Sequence, residues 1–207
     1  MSASDRVKVK ICGIRTPKEA GWLSEEGADY AGFVFFEKSK RNITHETAAE
    51  CFKELSSGIK KVAVLVSPSL VDIKRICDRG FDIIQIHGEL KDEVLEAAEL
   101  PVWRAVNISS CDGITVDITS EKIAAVLVDA ENFGAGKTFD WKSSAGLKEK
   151  LSGKPFVLAG GLNPDNVKRG IEIFDPDIVD VSSGVENADG TGKDREKIRD
   201  FIAKVGR

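Results

Sequence analysis

Two side chains able to transfer protons close apolar runs of this 207-residue chain. Cys12 ends the run at residues 7–12 and is followed at once by a glycine, and Asp129 closes the run at residues 124–129. A thiol at a strand end serves as a nucleophile, as a base, or only as a small buried hydrophobic group. An aspartate in that position caps a turn, or acts as a general acid when partial burial raises its pKa. These residue types alone leave acid–base chemistry and packing both open.

Two glycine-bearing turns are typical of an anion site. Gly160-Gly161 and Ser183-Gly184 each follow an apolar run. Glycine lets backbone N–H groups approach a phosphate closely, and a helix N-terminus adds partial positive charge. The alternative is that these glycines only form tight strand-to-helix turns. Two such turns after neighbouring runs favour the phosphate site.

Arg41 and His87 are further polar candidates. An arginine binds a carboxylate through two parallel hydrogen bonds, a geometry that lysine does not offer. Arg41 stands at the end of a lysine-rich loop, so a solvated surface charge is an equal alternative. His87 ends a short apolar run, and we expect it to pack or to position neighbouring groups rather than to react.

The elements that must position these residues are eight β-rich apolar runs, each followed by turn residues. They lie at residues 7–12, 30–35, 62–66, 83–87, 102–108, 124–129, 155–160 and 178–182. The helix start signals between them are Thr16-Pro17, Thr44, Ser69, Asn163-Pro164 and Lys193. Residues 111–122 fit a helix poorly because they are rich in β-branched residues.

Nearly continuous apolar strands that alternate with helices predict a parallel sheet covered on both faces. We therefore predict an α/β fold, a single compact (β/α)₈ TIM barrel that spans residues 1–207 as one domain. Chemistry in this architecture lies at the carboxyl ends of the strands. The candidates named above should meet at that rim, together with Arg104 and Asn107 from the fifth run.

Composition excludes several classes of partner. A formal net charge of −4 gives no footprint for nucleic acid. No run approaches the roughly 18 apolar residues of a membrane span, and residues 1–6 do not suit a secretory signal. Four scattered cysteines and two histidines form no metal-binding pattern. We expect a cytoplasmic protein with no nucleic-acid partner, no membrane partner and no metal site.

With these residues in order, the chain resembles the phosphoribosylanthranilate isomerase family over nearly its whole length. The motifs that carry the resemblance are Lys10-Ile11-Cys12-Gly13-Ile14, Ser39-Lys40-Arg41, Gln85-Ile86-His87-Gly88, Asp129 with Gly136 and Phe139-Asp140-Trp141, Leu158-Ala159-Gly160-Gly161-Leu162, and Asp180-Val181-Ser182-Ser183-Gly184-Val185-Glu186. Each motif is weak alone, but the ordered set is specific. The family has a (β/α)₈ barrel, belongs to tryptophan biosynthesis and needs no cofactor.

The resemblance implies an Amadori rearrangement, the aldose-to-ketose isomerisation of N-(5′-phosphoribosyl)anthranilate to 1-(2-carboxyphenylamino)-1-deoxyribulose 5-phosphate. It implies Cys12 as general base, Asp129 as general acid and Arg41 as the ligand of the anthranilate carboxylate. It implies phosphate contacts at Gly160, Gly161, Ser183 and Gly184, with Gly136 assisting. An ordinary cysteine is only a few per cent thiolate at neutral pH, so we expect the site to lower the pKa of Cys12.

Two departures from the family pattern concern loops. The sequence after Asp129 reads Phe133-Gly134-Ala135-Gly136, where the family has a glycine pair, a threonine and a glycine. A bulky Phe133 changes how that loop closes over a substrate. Residues 187–193 also hold one residue more than the family pattern.

Three other functions are alternatives. A histidine-pathway sugar isomerase on the same barrel uses an aspartate where this chain has Cys12, and its substrate carries two phosphates. A lyase or aldolase needs a Schiff-base lysine or a metal cluster, and Lys8 and Lys10 are no compelling candidates. A phosphosugar-binding protein without turnover would not need both Cys12 and Asp129. The small-molecule phosphosugar would be bound by a monomer or a homodimer.

Overall fold

The structure, a computed structural model, describes residues 6–107, 117–129, 148–151 and 153–206. The strands in these ranges are β1 (Lys8–Cys12), β2 (Tyr30–Phe35), β3 (Lys60–Val66), β4 (Ile83–His87), β5 (Val102–Asn107), β6 (Ile123–Asp129), β7 (Phe156–Ala159) and β8 (Ile178–Val181). The α-helices are α1 (Pro17–Glu26), α2 (His45–Phe52), α3 (Leu70–Cys77), α4 (Asp92–Glu96), α5 (Val167–Phe174) and α6 (Arg195–Val205). Short 3₁₀ turns cover Lys148–Leu151 and Ser183–Val185.

The eight strands pair in parallel in sequence order, and β8 pairs with β1 to close the barrel. The predicted barrel is confirmed, and every predicted apolar run contains a strand. The helix α4 was not predicted. The helix α5 begins at Val167, later than predicted, because residues 164–166 form turns. None of the helices in the described ranges is long and apolar enough to cross a membrane.

Local hydrogen bonds explain where the first helices begin. The Thr16 hydroxyl accepts from the Glu19 N–H at 3.2 Å, and the Glu19 carboxylate accepts from the Thr16 N–H at 3.3 Å. Ser69 forms the same reciprocal capping box with Asp72, and Thr44 caps α2 from one side. These three predicted start signals are confirmed.

Side chains alternate between the inside of the barrel and the layer beneath the helices. On β1, Val9 and Ile11 belong to the large outer core, whereas Cys12 belongs to the cluster inside the barrel. Apolar side chains fill that interior, but Lys10 and Asp180 are buried there as well. The interior of the barrel therefore contains buried charged side chains as well as the Cys12 thiol.

The turn after β8 packs directly against the turn after β7. A Cβ atom on Gly184 would lie 1.9 Å from the carbonyl oxygen of Leu162 and 2.9 Å from the Cα of Asn163. Both neighbours are backbone atoms, which have little room to move. Only glycine fits at position 184, and the packing fixes how the two turns sit against each other.

We predict that Gly184→Ala lowers the free energy of unfolding by about 2 kcal/mol or more, because overpacking a rigid site costs about 1–3 kcal/mol. Urea denaturation measures this. Gly21→Ala is the matched control, since a Cβ on this residue of α1 meets nothing within 4 Å. The control should gain roughly 0.5–1 kcal/mol from helix propensity. Equal unfolding midpoints for Gly184→Ala and the wild type would contradict the tight contact.

Candidate active site at the carboxyl ends of the strands

A cavity of about 340 Å³ opens at the carboxyl ends of the strands. Seven of the nine predicted site residues line it, and these are Cys12, Arg41, His87, Asp129, Gly160, Gly161 and Ser183. Gly184 does not line the cavity but supports its wall through the packing described above. Gly136 lies outside the described residues, as does Phe133. The strand ends therefore bring most of the predicted set together.

A larger cavity of about 900 Å³ opens at the opposite end of the barrel. Charged side chains there pair with one another, as Lys60 does with Asp82 and Lys148 with Asp177. Among the described residues that line it there are carboxylates but no thiol. Because barrel enzymes place their chemistry at the carboxyl ends of the strands, we assign the site to the smaller cavity.

Cys12 lies beside a buried ion pair that spans β1 and β8. The Lys10 ammonium is 0% exposed and donates to both carboxylate oxygens of Asp180 at 3.0 Å. The Cys12 Sγ and the Lys10 Nζ lie 2.9 and 3.0 Å from the point where a Cβ on Gly32 would sit. Lys10 and Cys12 are two residues apart on β1, so both side chains point into the barrel. The thiol is therefore positioned against a fixed positive charge.

Burial raises the pKa of the Cys12 thiol. The Lys10 ammonium opposes this rise, the Asp180 carboxylate adds to it, and the Lys193 ammonium opposes it. The prediction that the surrounding residues lower this pKa is wrong. The physical reason is that a thiol only 8% exposed loses more hydration energy as a thiolate than the two cations return.

Burial alone would lower the pKa of Lys10, but the charges of Asp180 and Cys12 outweigh it and raise that pKa. Lys10 therefore stays an ammonium at neutral pH. A protonated lysine is not a nucleophile, which argues against the Schiff-base alternative. Among the described residues no three His, Cys, Asp or Glu side chains group as metal ligands.

His87 and Gln85 form a neutral pair on β4. Burial lowers the pKa of His87 to about 4, with Lys10 and Arg104 reinforcing the shift. The imidazole is therefore uncharged at neutral pH. Its Nε2 lies 2.7 Å from Nε2 of Gln85, and both residues line the cavity.

Asp129 is the last residue of β6, in register with Asn107 of β5 and Ala159 of β7. Its side chain is half-buried and lines the same cavity as Cys12. Arg104 does not line this cavity, contrary to the sequence prediction. It lies between the strands and the outer layer, where it donates to the carbonyl oxygen of Ile86 at 3.0 Å.

Arg41 is held at the rim by Glu186, which the sequence analysis did not single out. The Arg41 Nε donates to the Glu186 carboxylate at 2.6 Å. Lys40 donates to the other carboxylate oxygen at 3.0 Å, and Lys193 lies 3.4 Å from the first. Burial would raise the pKa of Glu186, but these cations outweigh it and hold the pKa at about 2. Arg41 is therefore not a loose surface charge.

The glycine turn after β7 has the backbone conformation that requires glycine. Gly160 and Gly161 adopt φ values of +91° and +63°, which residues with a side chain rarely adopt. The following helix α5 has no side-chain cap hydrogen bond at Asn166. Ser182, on the facing turn, donates its hydroxyl to the carbonyl oxygen of Cys12 at 3.0 Å. The phosphate candidates thus lie next to the candidate base.

Four residues that shape the site were not predicted as site residues. They are Lys10, Gln85, Asp180 and Glu186. A signal for Lys10 was present, because a charge two residues before Cys12 in an apolar strand must face the same side. No local signal pairs Lys10 with Asp180 or Arg41 with Glu186, because these pairs form only when the barrel closes.

Comparisons with known proteins agree over almost the whole chain. A family model described as N-(5'phosphoribosyl)anthranilate (PRA) isomerase matches residues 9–204. A Streptococcus pneumoniae (strain Hungary19A-6) protein named N-(5'-phosphoribosyl)anthranilate isomerase is 44% identical over 201 residues, which cover 96% of this chain and 95% of that protein.

Two crystal structures of phosphoribosyl anthranilate isomerases are also similar. The one from Thermotoga maritima has a TM-score of 0.85 at 36% identity, over 96% of this chain and 98% of that one. A second has a TM-score of 0.83 at 35% identity over the same shares. The second holds reduced 1-(o-carboxyphenylamino)-1-deoxyribulose 5-phosphate.

We predict that the Glu186 carboxylate makes stability depend on pH. A carboxylate whose pKa falls from an ordinary 4.5 to about 2 on folding stabilises the protein above pH 4.5 and loses that effect as the pH falls towards 2. Compared with Glu186→Gln, the wild type should lose about 1–1.5 kcal/mol of stability between pH 6 and pH 3.5. Urea denaturation at both pH values measures the difference.

The control for this experiment is Glu50→Gln, which removes an exposed glutamate paired with Lys53 on the surface of α2. Its stability difference from the wild type should change little over the same pH range. If the difference for Glu186→Gln is also independent of pH, the carboxylate is not held by Arg41 as described.

Proposed function

Because the chain belongs to the N-(5′-phosphoribosyl)anthranilate isomerase family, we propose that Cys12 and Asp129 perform its reaction as general base and general acid. Membership makes the protein an isomerase of tryptophan biosynthesis that converts an aldose derivative into a ketose. The observation that carries the proposal is that one cavity gathers Cys12, Asp129, Arg41 and the glycine turns. We also propose the cytoplasm as its compartment, in keeping with this biosynthetic role.

The substrate has two anionic ends and would be fixed at both. The Arg41 Nε is occupied by Glu186, and the terminal nitrogens of the guanidinium donate no hydrogen bond within the described ranges. They offer the two-pronged geometry that suits the anthranilate carboxylate. The phosphate would be bound by the turns at Gly160, Gly161, Ser183 and Gly184, with Gly136 assisting. Binding both ends places the ribose between acid and base.

The proposed reaction begins with proton transfer from Asp129 to the ring oxygen of the ribose. The bond between C1′ and that oxygen breaks, and the nitrogen lone pair forms an iminium at C1′. The Cys12 thiolate then removes the proton from C2′, and the electron pair forms a C1′–C2′ double bond while the iminium electrons return to nitrogen. Loss of the proton from the 2′-hydroxyl and protonation of C1′ give the aminoketone. No atom is gained or lost, as an isomerisation requires.

The positive charge near Cys12 reconciles its raised pKa with its role as base. Before the iminium forms, the thiol is mostly protonated, and Lys10 limits the cost of removing its proton. The iminium intermediate adds a second positive charge close to the sulfur, which favours the thiolate further. The same iminium makes the C2′ proton acidic, so a moderate base is sufficient.

We predict that Cys12→Ala and Asp129→Asn each lower kcat by about 10²–10⁴-fold, the usual contribution of a general base or acid. Loss of anthranilate fluorescence from the substrate, prepared from anthranilate and ribose 5-phosphate, measures turnover. Cys77→Ala is the matched control, because this thiol lies on α3 outside the cavity and should keep wild-type kcat. Equal turnover by Cys12→Ala would overturn the base. A wild type that binds the substrate without consuming it would be a binding protein.

We also predict that replacing the buried ion pair shifts the titration of Cys12. The charges that face the thiol are Lys10, Asp180 and Lys193, and among them Lys10 has the largest effect. Lys10→Met with Asp180→Asn removes both charges and leaves neither unpaired. The thiol should then become reactive only at higher pH. The rate of iodoacetamide alkylation at Cys12 against pH, followed by peptide mass spectrometry, measures this.

The matched control is alkylation of Cys77 in the same samples, whose pH dependence should not change between the two proteins. A Cys12 profile that stays in place or moves to lower pH in the double variant would show that Lys10 does not support the thiolate.

A further inference from the structure

Gln85 is a polar side chain that the reaction steps above do not use. It is 1% exposed, lies on β4 two residues before His87, and lines the cavity with Cys12 and Asp129. A buried amide normally has hydrogen-bond partners in the protein. A buried polar atom without one loses its hydrogen bonds to water and forms none to replace them. Its presence on the wall of a reaction cavity therefore calls for a partner.

The protein supplies only part of that partnership. The Gln85 Nε2 lies 2.7 Å from the His87 Nε2, but the Gln85 Oε1 has no hydrogen-bond partner within the described part of the chain. Turning the amide by 180° would only exchange the two atoms, because His87 satisfies one of them in either orientation. In either orientation one polar atom of the amide has no hydrogen-bond partner within the described residues.

The side chains in register with Gln85 on the two neighbouring strands do not offer this atom a hydrogen bond. In the barrel register Gln85 lies opposite Val64 of β3 and Trp103 of β5. Valine has no polar side-chain atom, and the Trp103 ring packs edge-on against Tyr30. The cavity is the remaining side from which a partner can come.

We propose that Gln85 binds a hydroxyl group of the substrate's ribose and so selects for a hydroxylated sugar chain. This rests on the proposed function, because the ribose is placed between Cys12 and Asp129, where Gln85 also lines the wall. His87, neutral at this site, holds the amide in the orientation that faces the ligand. A site built to hydrogen-bond a hydroxyl rejects an analogue that lacks it, since the buried polar group is then left unpaired.

The test compares two ligands that share both anionic ends. One is reduced 1-(o-carboxyphenylamino)-1-deoxyribulose 5-phosphate, which keeps the sugar hydroxyls. The other is 5-(2-carboxyphenylamino)pentyl phosphate, a chain of the same length without hydroxyls. Calorimetric titration gives the Kd of each for the wild type and for Gln85→Leu, which keeps similar volume without polar atoms.

We expect Gln85→Leu to weaken binding of the hydroxylated ligand about tenfold or more. Binding of the hydroxyl-free ligand should stay the same or improve. Gln85→Met provides a second variant of similar size, should the branched leucine fold poorly, and is expected to give the same pattern. Equal weakening of both ligands would show that Gln85 has only a structural role and would overturn the inference.

The outcomes separate this inference from the function on which it rests. If the wild type isomerises the substrate but the Gln85 variants bind both ligands as the wild type does, only the inference on Gln85 fails. If the wild type neither turns over the substrate nor binds the hydroxylated ligand, the proposed function fails and the inference on Gln85 falls with it.

Discussion

The buried ion pair between Lys10 and Asp180 is the constraint on which the site depends. It joins the first and last strands at the point where the barrel closes, with the two residues in register across the β1–β8 pairing. Removing two charges from water is costly, and a buried pair is weak evidence for stability on its own. Its value here is chemical, because it holds a positive charge beside Cys12 and in reach of His87. The same ammonium opposes the rise in the pKa of Cys12 and reinforces the lowering of the His87 pKa that burial causes.

A second ionic group, centred on Glu186, holds Arg41 at the cavity. Glu186 forms ion pairs with Arg41, Lys40 and Lys193, and its Oε1 accepts a hydrogen bond from the Arg41 Nε at 2.6 Å. The Glu186 carboxylate fixes the position of the Arg41 guanidinium. Lys193 also donates to the carbonyl oxygen of Ser182 at 3.0 Å, which ties this group to the turn after β8. Hydrogen bonds therefore connect Arg41, through Glu186 and Lys193, to Ser182, whose hydroxyl donates to the carbonyl oxygen of Cys12.

The sequence allowed the barrel and most of the rim to be predicted, for a simple physical reason. Strand patterns and helix caps such as Thr16 and Ser69 are local, and a parallel barrel places every strand end on one face. The charge environment was not predictable, because Asp180 lies 170 residues from Lys10 and meets it only through barrel closure. For the same reason the direction of the pKa shift of Cys12 was predicted wrongly. Its sign depends on burial competing with three charges.

The central claim is that Cys12 removes the proton from C2′. The most direct measurement is the kinetic isotope effect on kcat/KM with substrate carrying deuterium at C2′, in the wild type and in Cys12→Ser. A serine hydroxyl ionises much less readily than a thiol, so cleavage of the C2′–H bond should be slower in Cys12→Ser, and this variant should show a primary isotope effect at least as large as that of the wild type. A variant that is slow but shows no isotope effect would contradict the account, since the slowed step would then lie elsewhere.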